Sequence, residues 1–196
     1  TWSLVGSEMC IRDRFKHLGS KPIFLIVVDN LRYDQWKIIE SDISKIFNVK
    51  NDDPYLAILP TTTEYSRNSL FSGLTPLEMS KKYPELWDNK SDGFNNKEFD
   101  FINKNLERHS LNIKHSYNKI ISHSDGTKFS KKKSDLLKYD LNSIVFNFID
   151  MMSHSSSENM LFKNLAYDEK SFRSFTSSWF KNSPLNELIT FLSEQD

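Results

Sequence analysis

Hydrophobic positions along the chain alternate between two patterns, and each pattern predicts a different element. "PIFLIVVDN", Pro22–Asn30, is a continuous apolar and β-branched run, the mark of a strand buried on both faces. "RYDQWKIIESDISKIF", Arg32–Phe47, follows with Trp36, Ile39, Ile43, Ile46 and Phe47 at helical spacing. Tyr55–Leu59 reads as a second short strand. Thr63 to Gly73 reads as a short helix with Gly73 near its C-terminus. Thr75–Trp87 is helical but broken at Pro84, and Asp88–Asn96 is a polar loop. Lys97–Ser110 predicts a helix and Leu111–Ile121 an amphipathic strand. Ser122–Asp135, "SHSDGTKFSKKKSD", reads as a second loop. Asn142–Met152, "NSIVFNFIDMM", reads as a strand ending in Asp150. Tyr167–Phe180 is helical. Ser183–Gln195 opens with Ser183 as N-cap and Pro184 at the first helical position. Strands alternating with helices predict an α/β fold, with a mainly parallel central sheet flanked by helices.

A resemblance alters this picture at one end. "LVGSEMCIRDR", Leu4–Arg14, resembles the translation of a sequencing-library adapter, so residues 1–14 are set apart as non-native. Residues 15–20 then read as the end of a linker, and 21–196 as the N-terminal part of one domain. The single cysteine, Cys10, belongs to the excluded segment, which leaves no disulfide framework and favours a reducing compartment. The chain carries 26 basic and 26 acidic residues. Removing Arg12, Arg14, Glu8 and Asp13 keeps that balance. A neutral chain gives no reason to expect duplex nucleic acid or an anionic membrane as partner. Ile23–Val28 is the longest apolar run and is far too short to span a bilayer.

Ligands of parallel sheets bind beyond the carboxyl ends of the strands. Three sets of polar residues are expected there. Asp29 and Asn30 end the first strand, Thr61, Thr62 and Thr63 follow the second, and Asp150 ends the last with His154 four residues on. Each has an ordinary alternative. Asp29 or Asn30 could cap the following helix, Thr63 could cap its own, and Asp150 with His154 could be solvated surface groups. Together, oxygen and imidazole donors suit zinc or a similar divalent cation. A threonine hydroxyl becomes a nucleophile only with a metal, a base or a helix N-terminus beside it.

"VVDNLRYDQW", "LPTTTEYSRNSLFSG" and "NFIDMMSH" resemble the PglZ-domain branch of the alkaline phosphatase superfamily, closest to the output domain of PorX-type response regulators. The resemblance runs from about Lys21 to Leu192. It implies an alkaline-phosphatase-like fold with two divalent metal ions, zinc in most members. By resemblance Thr63 is the nucleophile and, with Asp29, a ligand of one metal. Asp150 and His154 are ligands of the other. Arg67 and Asn68, one turn past Thr63, could contact a phosphodiester or phosphate substrate, with a helix-surface salt bridge as the ordinary alternative for Arg67. The run Lys128–Asp135 could attract a polyanion or be a solvated loop.

The resemblance further implies a cytoplasmic two-component regulator linked to type IX secretion. Its upstream receiver domain would lie outside this chain, its diesterase would act on oligonucleotide-type substrates, and a homodimer is allowed in the parent. A sulfatase would need a maturing Cys or Ser in a Cys/Ser-x-Pro-x-Arg setting, which is absent. The alternative of another class is a non-catalytic signalling module that binds a secretion or transcription partner. The superfamily completes its metal sites with an Asp-His pair and a later histidine. No Asp-His pair occurs here, so the remaining ligands are expected beyond Asp196. This chain alone is therefore expected to be an incomplete fold, catalytically silent and weak in zinc binding.

Overall fold

The computed structural model describes residues 21–52, 58–87, 96–158 and 168–195. The chain divides into two compact units, residues 24–53 with 115–196 and residues 1–23 with 54–114. The adapter-like segment, the linker, most of the expected strand Tyr55–Leu59 and nearly all of the loop Asp88–Asn96 lie outside the described residues.

The unit formed by 24–53 and 115–196 holds the sheet. Its strands are β1 (Ile23–Val28, whose first residue is at the unit boundary), β2 (His115–Ile120) and β3 (Leu141–Phe146), in the order β1-β3-β2. The sheet is parallel, and β2 pairs with β3 from His115 opposite Leu141 to Ile120 opposite Phe146. Every residue of the central strand β3 is buried. Its two polar positions differ in how they tolerate this. Asn142 accepts from Ser116 Oγ at 2.6 Å and donates to the Leu136 carbonyl at 3.0 Å, whereas the Ser143 hydroxyl has no partner among the described residues. The fold class read from the sequence, helices flanking a parallel sheet, is the one observed.

Helices α1 (Tyr33–Ile43), α5 (His123–Lys132), α6 (Phe148–Glu158), α7 (Glu169–Lys181) and α8 (Pro184–Ser193) belong to the same unit. In the other unit are α2 (Thr63–Ser72), α3 (Pro76–Lys82) and α4 (Glu98–Arg108). The sheet's core gathers Ile39 of α1, Phe129 of α5, Ile144 and Phe146 of β3, Phe180 of α7 and Leu188 of α8. Phe146 meets Phe129 and Trp179 edge-on, at ring distances of 6.2 and 6.4 Å. Gln35 of α1 and Thr176 of α7 are both buried and share a 2.8 Å hydrogen bond, which fixes the register of the two helices.

Two sequence expectations are corrected. Ser122–Asp135 is not a loop. Ser122 accepts from the Asp125 N–H at 3.1 Å, and Asp125 accepts from the Ser122 N–H at 3.0 Å. This reciprocal cap starts α5, and a 3-10 helix, Lys133–Lys138, continues it. The strand expected over Asn142–Met152 ends at Phe146. The Asn147 carbonyl accepts from the Met151 N–H at 3.0 Å, so α6 begins at once. The burial of Ile149 and Met152, with Phe148 and Met151 exposed, is the helical three-residue repeat hidden inside an apolar run.

Helices α5 and α8 meet at Gly126, where an added Cβ would stand 2.7 Å from Pro184 Cγ. Gly126→Ala gains about 1 kcal/mol of helix propensity. Pushing a proline ring at a helix start costs about 1–3 kcal/mol of overpacking. The overpacking wins, and the urea midpoint is expected to fall; a rise would mean that the helices do not approach this closely.

Candidate active site

Asp29 directly follows β1, and its N–H donates to the Phe146 carbonyl at 2.9 Å. That bond ties the carboxyl end of β1 to the carboxyl end of β3. Asn30 then takes a left-handed φ of 58°, a conformation asparagine tolerates better than most residues. The chain turns into α1, whose N-cap is Arg32. The Arg32 N–H donates to Gln35 Oε1 at 3.0 Å. The N-cap position is therefore that of Arg32 and not of Asp29 or Asn30.

Asp150 and His154 extend from the same edge on α6, not from the strand as the sequence suggested. They stand one helical turn apart, with His154 Nε2 3.5 Å from Asp150 Oδ1. The Asp150 side chain is 19% exposed and the imidazole 72% exposed, so the carboxylate is sheltered while the ring faces solvent. As an acid in the first turn of a helix, Asp150 sits where the helix dipole favours negative charge. Phe148, at the first position of α6, stacks flat on Trp179 of α7 at 5.3 Å. Beside this edge, hydrogen bonding from Arg32, joined by Arg173, holds the Asp34 carboxyl below the usual range. Arg32 also reaches Glu169, so the starts of α1 and α7 are joined by charge.

In the other unit, Thr62 and not Thr63 occupies the N-cap position of α2. The Thr62 carbonyl accepts from the N–H groups of Tyr65 and Ser66 at 3.0 and 2.9 Å. Thr63 is the first helical residue and half-buried, and its hydroxyl lies at the positive end of the helix. Capping is thus excluded for Thr63 as well.

Arg67 and Asn68, weighed as substrate contacts, are both buried. The Arg67 guanidinium donates to Glu98 Oε1 at 2.6 Å, and the two side chains are 4% and 0% exposed. The salt bridge weighed for Arg67 exists, but in the interior of its unit and not on a helix surface. Glu98 was not singled out in the sequence, because nothing local connects it to a residue 31 positions earlier. The last carbonyls of α2 are held from α4: Asn105 Nδ2 donates to the Phe71 carbonyl at 2.9 Å, and Arg108 to Ser72 at 2.5 Å. Gly73, at a φ of 65°, closes the helix.

Among the described residues no group of three or more His, Cys, Asp and Glu side chains is gathered to hold a metal ion. Asp150 and His154 are two donors of suitable chemistry, an oxygen and an imidazole nitrogen. A tightly held zinc ion needs at least a third, so the described residues do not make a complete metal centre.

A parallel sheet flanked by helices is consistent with an alkaline-phosphatase-like α/β fold. Residues 9–195 match the PglZ family, described as the BREX system PglZ alkaline phosphatase-like domain, and the chain belongs to that family. The match begins inside the adapter-like segment. A comparison with curated proteins finds no match. No helix among the described residues is long and apolar enough to cross a membrane.

Proposed function

We propose that this chain is part of a phosphodiesterase or phosphatase domain that uses Thr63 as its nucleophile. The observation that carries the reading is the Asp29 N–H bond to the Phe146 carbonyl. It sets Asp29 beside the strand end from which Asp150 and His154 extend. Membership of an alkaline-phosphatase-like family supports a hydrolase of this class.

In the proposed reaction Thr63 Oγ1 loses its proton and bonds to phosphorus, and the P–O bond to the leaving alcohol breaks. The alcohol takes up a proton. Water then attacks the phosphothreonine and regenerates the hydroxyl. The helix N-terminus beside Thr63 favours both the alkoxide and the phosphate oxygens. The family's divalent metals would supply charge neutralisation, and Asp29, Thr63, Asp150 and His154 are the residues that the resemblance assigns to them. The response-regulator context, with a receiver domain, a cytoplasmic location and a link to type IX secretion, belongs to this proposal and rests on the same resemblance.

The test is hydrolysis of a nitrophenyl phosphodiester by the full-length parent protein, with its zinc content measured in parallel. Turnover that chelation removes and zinc restores is the expected result. A zinc-loaded parent with no turnover on mono- or diesters would overturn the reading and favour the interaction module.

A further inference from the structure

We propose that the groove along α7 binds a linear phosphate chain, through residues other than Thr63 and the Asp150–His154 pair. The groove encloses about 600 Å³ and is lined by Lys170, Arg173 and Lys181 together with Ser174, Ser177 and Ser178. Ile38 of α1 is its one large apolar contact. No carboxylate lines it, although the chain as a whole is neutral.

The neighbouring acids are already engaged. Asp34 pairs with Arg32 and Arg173, Glu169 with Arg32, and Asp42 with Lys45. Among the described residues neither Lys170 nor Lys181 is in an ion pair within 4.0 Å, although Asp168 and Asp42 lie near enough to attract them through space. Burying little apolar surface, such a groove gains affinity chiefly from charge.

The ligand class follows from the spacing and the donors. Lys170 and Lys181 are eleven residues apart on one helix, a rise of roughly 16 Å. Arg173 and the three serines lie between them. Helices α1 and α7 run in the same direction, since Asp34 meets Arg173 and Gln35 meets Thr176. The groove is therefore a straight track and not a closed pocket. The Ser174 hydroxyl donates to the Lys170 carbonyl at 3.0 Å, and the ammonium, guanidinium and remaining hydroxyl donors spread along the track suit an anion with acceptor oxygens at every repeat. Phosphate supplies several per unit, each able to take a charge-assisted bond. An acidic peptide presents its carboxylates on long side chains that lose rotamer freedom on binding. The groove also lacks apolar subsites to hold such a peptide.

The probe is a short linear inorganic polyphosphate, titrated at low salt into the full chain. Binding is expected, and it should weaken as salt rises through the screening range. Lys170→Ser with Lys181→Ser removes two charge-assisted contacts and is expected to weaken binding about tenfold. Both side chains end in solvent, so the thermal melt should not move. Lys128→Ser with Lys131→Ser removes the same charge from exposed positions of α5 and should leave binding within about twofold. Thr63→Val should leave it intact, which separates this site from the proposed nucleophile. An equal loss in the two lysine pairs would overturn the proposal, as would oligoglutamate of matched charge binding as tightly as polyphosphate.

Discussion

Glu98→Ala is expected to destabilise the chain by about 3–5 kcal/mol, a large part of the roughly 5–15 kcal/mol that holds a domain of this size. The Arg67–Glu98 pair is buried, with the guanidinium 2.6 Å from the carboxylate. Removing the carboxylate leaves a cation in the interior that cannot lose its proton. The cost comes chiefly from depriving a buried cation of its carboxylate. A second substitution separates the two contributions. Arg67→Met with Glu98→Leu removes both charges at similar volume, and should recover most of the loss. It should not recover all of it. Glu98 is the first residue of α4, and its charge at a helix N-terminus is worth about 0.3–1 kcal/mol. Urea midpoints of the two single variants and the double variant give the comparison. A Glu98→Ala chain within about 1 kcal/mol of the parent would mean that the pair is solvated.

How much of this was legible follows from which signals are local. The strand β1 announces itself, because an unbroken run of β-branched residues has few other uses, although it ends at Val28, two residues before the expected end at Asn30. The N-cap of α8 was equally readable, since Ser183 and Pro184 act on their own helix, and Ser183 Oγ accepts from the Asn186 N–H at 3.2 Å. The run from Asn142 to Met152 was not. A strand buried on both faces and a buried helix start are both apolar, and only Asn147 marks the change between them. Asp150 was therefore placed at the correct sheet edge but on the wrong element.

Helix α5 was missed for the opposite reason. Lysines and Gly126 made it look like a loop, yet the signal was there in Ser122 and Asp125, three residues apart. Positions close to strand ends, such as Asp29 and Asp150, could be placed from the sequence. Glu98 could not, because its partner comes from another helix and no periodicity connects them. The same limit applies to Thr62 and Thr63. The sequence shows three threonines before a helix, and only backbone hydrogen bonds decide which one is the cap.

Thr63→Val in the full-length parent is expected to abolish phosphodiester turnover while leaving zinc content nearly unchanged. Valine keeps the branched shape at the first position of α2 and lacks only the oxygen. Thr62, the actual cap, keeps its backbone bonds to Tyr65 and Ser66, so the helix start should survive. Loss of a nucleophile removes the covalent path altogether, a fall on the order of 10³-fold or more. Asp150→Ala should behave differently. It removes a sheltered carboxylate 3.5 Å from the exposed His154 imidazole. Zinc content should then fall, and added zinc should restore part of the activity. Thr63→Ser supplies the control: it returns the hydroxyl without the methyl group, and should recover turnover where valine does not. The three variants thus separate the nucleophile from the metal ligand and from helix stability. A Thr63→Val protein that keeps its diesterase activity would remove Thr63 from the chemistry, whatever its zinc content.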